Sequence, residues 1–152
     1  MQTCAFTGHR KLESTVTKER VYQQVENLVK EGIDTFFCGL ALGFDMLAGE
    51  VVLELKKNYP QIRLIGCIPF LGQESRFPKK EQLRYQTVKN GCNETVVLGE
   101  PYTPWAFHAR NDYMCEHADM AFAYLTKENG GTAYTVKAFQ KAGKPVVFLK
   151  ME

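Results

Sequence analysis

The stretch Phe36-Phe37-Cys38-Gly39-Leu40-Ala41-Leu42-Gly43-Phe44-Asp45-Met46-Leu47-Ala48-Gly49-Glu50 decides the fold. It opens as a short apolar run, passes through two glycines, and continues with Leu47, Val51 and Leu55 at helical spacing. That reads as a buried strand, a tight turn and a helix over Phe44–Asn58, with a single acid, Asp45, in the first helical turn. The same rhythm extends outward on both sides. Upstream, Thr3–Thr7 is a strand closed by Gly8, and Thr17–Glu31 is a helix with Thr17 as cap and Gly32 as terminator. Downstream, strands are expected at Ile62–Ile68, Glu94–Leu98, Ala118–Tyr124 and Pro145–Leu149. Helices are expected at Lys79–Asn90, Pro104–His117 and Thr132–Ala142. Apolar strands alternating with helices predict an α/β fold: a three-layer, Rossmann-like, mainly parallel sheet with helices on both faces. The strand order is not readable from the pattern.

The 152 residues show no composition shift, linker or repeat, so one domain over residues 1–152 is expected. Nineteen Lys and Arg against 17 Asp and Glu leave a charge of +2, too near neutrality to advertise nucleic acid or an anionic membrane. Five scattered cysteines without a CxxC read as reduced thiols. The chain enters a strand at once, without the charged start and apolar stretch of a signal peptide, and no apolar run approaches the ~20 residues of a membrane span. No membrane partner and a cytoplasmic location are therefore expected.

In a parallel sheet, ligands bind beyond the carboxyl ends of the strands, so the loops there carry the candidates. Gly8-His9-Arg10 follows the first strand, where imidazole and guanidinium suit phosphate or a base, or form an exposed pair without a role. Gly39 and Gly43 follow the second. Their GxxxG spacing is neither a Walker loop nor a dinucleotide fingerprint, and Asp45 beyond them either caps the helix or accepts a ligand hydroxyl. Gly130-Gly131-Thr132 opens the last helix as a phosphate cradle or a plain turn. Arg110-Asn111 is an anion clamp if it faces a cleft and a solvated face if it does not. Trp105 and Phe107 read as core more readily than as stacking platforms. His9, His108 and His117 lack metal-ligand spacing, and no serine or cysteine has the surroundings of a nucleophile, so no metal and no cofactor is expected.

The order of these signals is more specific than any one of them. Cys38-Gly39-Leu40-Ala41-Leu42-Gly43-Phe44-Asp45-Met46-Leu47-Ala48 resembles the SGLALGID-x-x-A loop of the DNA-processing protein A Rossmann domain. Arg110-Asn111, Ala118-Asp119, Gly131-Thr132 with Thr135, and Gly143-Lys144-Pro145-Val146 match that group's later landmarks in order. Thr7-Gly8-His9-Arg10 is similar to the YpsA-type branch of the same SLOG superfamily, which also holds the "lonely guy" phosphoribohydrolases and lysine-decarboxylase-like proteins. The resemblance implies a small-molecule nucleotide partner of the ADP-ribose, NAD or AMP class. It would be bound by Gly8, His9, Arg10, Gly39, Gly43, Asp45, Arg110, Asn111, Gly130, Gly131 and Thr132.

Two departures qualify what the resemblance implies. Thr135 stands where the phosphoribohydrolases carry a glutamate, so an N-glycosidase would have to recruit Asp45, Glu50 or Glu54. Gly49 stands where the DNA-processing proteins carry a histidine. Single-stranded DNA is thus the weaker expectation, with Arg10, Arg76, Lys79, Lys80 and Arg84 as its basic patch. The charged stretch Gln73–Arg84 reads as a solvated helix start more readily than as a substrate lid. Self-association, common in this fold group, would use surface around Tyr85 or Trp105.

Overall fold

Each apolar run is too short to bury itself as a helix and pairs instead with its neighbours. The computed structural model describes residues 1–99 and 102–151. Its elements are β1 (Thr3–Gly8), α1 (Lys18–Lys30), β2 (Thr35–Cys38), α2 (Phe44–Leu55), β3 (Arg63–Ile68) and a 3-10 turn at Gln73–Arg76. They continue as α3 (Lys79–Gly91), β4 (Glu94–Val97), α4 (Ala106–His117), β5 (Met120–Tyr124), α5 (Gly131–Lys141) and β6 (Val146–Phe148). The six strands form one sheet in the order β4-β3-β2-β1-β5-β6, and every pairing is parallel. The expected three-layer α/β architecture is therefore present, element for element.

The strand order follows from winding direction. From β1 the chain steps outward through β2 and β3 to β4, then returns to place β5 on the other side of β1. Right-handed crossovers then put the helices of the two halves on opposite faces. Helices α1, α2 and α3 cover one face, where Val21, Val51 and Tyr85 join Phe6, Phe36 and Phe44 in the larger core cluster. Phe6 stacks on Phe36 with ring centroids 5.3 Å apart. Helices α4 and α5 cover the other face through Met114, Cys115 and Phe139, against Ala5, Phe37 and Cys67. A fully buried aliphatic or aromatic side chain contributes roughly 1.5–3 kcal/mol, so the larger cluster anchors the fold.

Local signals behave as their chemistry dictates. Thr17 caps α1 by accepting a hydrogen bond from Arg20 N at 3.2 Å, and Gly32 ends it at φ +111. Not every strand is covered on both faces, however: β4 and β6 are sheet edges, and Val97, Val147 and Phe148 stay exposed. Tyr85 is buried, so it offers no surface for self-association, whereas Trp105 is exposed. Gln73, expected on a solvated face, is buried as well. Among the described residues no helix is long and apolar enough to cross a membrane.

Candidate functional site

Winding reverses between β1 and β5, which splays the loops at their carboxyl ends and leaves a crevice of about 580 Å³. Eight of the eleven residues singled out in the sequence line it: Gly8, His9, Arg10, Asp45, Arg110, Asn111, Gly131 and Thr132. Gly39, Gly43 and Gly130 do not line it, and they shape the backbone that does.

Gly39 follows β2 where the chain passes the floor of the crevice. A Cβ there would stand 2.4 Å from Arg110 Nη1 and 2.9 Å from Asp45 Oδ2, so only a glycine lets both groups close over it. Leu40 is held at φ +56, a left-handed conformation unusual for leucine, with its side chain fully buried. Gly43 sits at φ +83 against the β1 loop, and a Cβ would meet the Arg10 carbonyl oxygen at 2.2 Å. Next to it, Phe44 N donates to His9 O at 3.1 Å. The two loops therefore cross in direct backbone contact, and that crossing aims Asp45 at the crevice. Asp45 is not the helix cap, a position Gly43 occupies. Its Oδ2 accepts a hydrogen bond from Ala41 N at 3.4 Å. Burial pushes its carboxyl up to about 6, against the lowering pull of Arg110 and Arg10.

Arg110 and Asn111 are not on a solvated face. Arg110 is only 5% exposed, held by three neutral acceptors. Its Nε donates to Asn111 Oδ1 at 2.8 Å, and its Nη1 to Gly39 O at 2.7 Å and Cys67 O at 3.5 Å. Its Nη2 makes no hydrogen bond among the described residues, and no carboxylate there lies within ion-pair distance. Burial lowers its proton affinity, yet a guanidinium keeps its charge under all ordinary conditions. The floor of the crevice thus carries an oriented cation that feels the Asp45 charge but forms no direct ion pair with it.

On the opposite wall, α5 begins at Gly131 after Gly130 turns at φ +95. The first-turn N–H groups of Gly131 and Thr132 have no helical acceptor, and the helix dipole adds positive potential. Thr135 bonds back to Gly131 O at 3.0 Å and is buried in the helix, so it supplies nothing to the crevice. His9 Nε2 accepts from Thr126 N at 2.8 Å, which leaves the Nδ1 proton as the ring's donor. Burial and Lys127 both lower its affinity for a second proton.

Several lining residues escaped the sequence reading. Tyr124, Thr126 and Lys127 lie at or just past the end of β5, a position that the rule of strand ends would have flagged. Phe107 is half-buried, and the Arg10 and Arg110 guanidinium groups each lie 5.8 Å from its ring centroid. It belongs to the crevice wall and not to the core, while Trp105 is neither core nor lining. Four cations (Arg10, Lys11, Arg110 and Lys127) face two carboxylates (Glu13 and Asp45), so the crevice favours an anion.

Other candidates are placed elsewhere. Glu50 is engaged by Arg84, whose Nε donates to Oε2 at 3.0 Å, and Glu54 pairs with Lys18 at 2.7 Å. Neither lines the crevice, so Asp45 alone remains of the three carboxylates considered for catalysis. Of the basic patch, Arg10 and Arg76 line cavities, while Arg84 is tied to Glu50 and Glu81.

Comparison with known proteins accords with the fold. A solved chain of DNA processing protein A from Helicobacter pylori, described for its single-stranded DNA binding mode, superposes with a TM-score of 0.71 at 22% identity. It covers 97% of this chain and 64% of that one. The corresponding protein of Streptococcus pneumoniae gives 0.70 at 22% identity, covering 97% and 50%. The chain thus spans between half and two thirds of those longer proteins, and the likeness is one of fold. A UPF0398 protein of Halalkalibacterium halodurans is 27% identical over 88% of this chain and 72% of its own length. One from Bacillus licheniformis is 27% identical over 100% and 92%. The family described as the YspA SLOG family matches residues 4–150, nearly the whole length. The chain belongs to that family.

Proposed function

We propose that this protein binds a nucleotide or nucleotide-derived ligand, of the AMP, ADP-ribose or NAD class, with a phosphate seated in the crevice between β1 and β5. The observation that carries this reading is Arg110, a buried guanidinium with a free Nη2 and no carboxylate partner among the described residues. Burying an unpaired charge is costly, and an incoming anion removes that cost. The phosphate bridges Arg110 Nη2 and the first-turn amides of Gly131 and Thr132, as helix N-termini favour. Asp45 accepts from a ribose hydroxyl, and the His9 Nδ1 proton and the Asn111 amide supply donors at the rim. A thermal-shift screen with AMP, ADP, ADP-ribose, NAD and cyclic nucleotides tests this. A compound present at a hundred times its Kd stabilises by about 2.7 kcal/mol. Melting curves unmoved by all of them overturn the reading.

A second reading, cleavage of the N-glycosidic bond of a nucleoside 5′-monophosphate, draws on one observation. Burial holds the Asp45 carboxyl near 6, in the range where a side chain can both give and take a proton. Chromatography of AMP incubated with the protein decides it: free base above the buffer blank supports catalysis. Bound AMP without release leaves a binding protein.

A further inference from the structure

We propose that the ligand has two ring-bearing halves joined by a pyrophosphate, one half in the crevice and the other in an adjoining aromatic cavity. This rests on the nucleotide reading above and narrows it. A second cavity, also of about 580 Å³, lies beside the first, and the two share Arg10, Ala41 and Phe107 as a common wall. Either volume alone falls within the ~300–1,000 Å³ of a small-molecule site, so a mononucleotide fills one and leaves the other.

Chemically the two cavities differ. The first offers a buried cation and helix amides, which suit phosphate. The second is walled by Phe70, Tyr102 and Phe107, with Phe70 edge-on to the other two at 5.2 and 5.6 Å. Tyr102 is 62% exposed, leaving a broad aromatic surface open beside the cavity. Such walls hold a flat ring by stacking. The floors are joined through one backbone group: Gly39 O accepts from Arg110 Nη1 at 2.7 Å and from Gln73 Nε2 at 3.2 Å, and Gln73 lines the second cavity.

The linkage between the halves follows from the shared wall. Arg10 is the one cation common to both cavities among the described residues, and it lies over the Phe107 ring that divides them. Arg110 lies at the same distance from that ring. A bridge crossing there meets two guanidinium groups, and a pyrophosphate carries two charges to match them where a phosphodiester carries one. Arg76 lines the second cavity but not the first and suits the polar edge of the second ring or sugar.

Calorimetric titration of the wild type, Arg76→Ala and Tyr102→Ala with AMP, ADP-ribose, NAD and the dinucleotide pTpT tests this. The expected result is that ADP-ribose or NAD binds at least roughly tenfold tighter than AMP, a difference of one factor of ten in Kd. Both variants lose that gain and keep the wild-type affinity for AMP. Equal affinity for AMP and the pyrophosphate compounds overturns the two-cavity ligand while leaving the nucleotide site standing. Tighter binding of pTpT than of either pyrophosphate compound overturns the pyrophosphate linkage. Failure of every compound to bind the wild type overturns both this proposal and the reading on which it rests.

Discussion

The floor and the rim of the crevice each carry an arginine, and the two are held in opposite ways. Arg110 is buried and fixed by three neutral acceptors over a glycine that leaves it no slack. Arg10 is exposed, and its guanidinium lies over the face of Phe107. The floor has lost its side-chain entropy during folding, so its charge is available to a ligand without further ordering. The rim still has that entropy to lose on binding. A pre-ordered floor supplies affinity, and an exposed rim supplies salt-sensitive steering.

The largest expected effect breaks the floor. Arg110→Ala removes the buried cation and leaves the Gly39 carbonyl with one donor fewer, costing ligand affinity about 2–5 kcal/mol, as for other buried charge pairs. Titration of whichever nucleotide binds the wild type measures it, and an unchanged Kd places the anion elsewhere. Gly43→Ala tests the crossing that aims the floor. It forces an alanine into a left-handed conformation against the Arg10 backbone, so a stability loss on the order of 3 kcal/mol is expected in a urea melt.

Asp45→Asn sharpens the comparison through pH. The folded carboxyl sits near 6 against an ordinary value of 3.8, a raised pKa. The neutral form is favoured by the fold, so wild-type stability from this group is full below 3.8 and is lost as pH rises through about 6. The loss is on the order of 2–3 kcal/mol for a shift of that size. Melts from pH 3.5 to 7.5 should show the variant gaining on the wild type across that window and holding level above it. A constant difference would mean that Asp45 is already solvated. The smallest effect lies outside the crevice: Arg84→Gln breaks partly exposed ion pairs with Glu50 and Glu81, costing about 0.5–1 kcal/mol of stability and no nucleotide affinity.

Periodicity made the elements legible because helices and strands announce themselves over local windows; Thr17 and Gly32 marked the ends of α1, whereas α2 stops at Leu55, short of the expected Asn58. The strand order was not legible, since the reversal after β4 is a decision of tertiary packing. Arg110 shows the same divide within the site. Polarity alone left it between an anion clamp and a solvated face, yet it stands four residues after Ala106 and four before Met114, on the stripe by which α4 meets the sheet. A charged residue on an apolar stripe was the available signal. Phe107 offered none, because an aromatic beside a core residue reads as core until the cavity next to it is visible. Glu50 and Glu54 looked free for catalysis only because Arg84 and Lys18, which engage them, are remote in sequence.

The pairing of β1 with β5 bears on how the molecule assembles. Gly8 lies opposite Tyr124, whereas the β1–β2 and β2–β3 pairs join segments far closer along the chain. Bringing distant segments together costs more loop-closure entropy than bringing near ones together, so the half built from β1 to β3 is the cheaper to form first. Strand β5 then docks against an existing edge, and α5 brings Gly131 and Thr132 with it. The crevice exists only once that pairing is made, so a ligand seated in it stabilises the state in which both halves are joined.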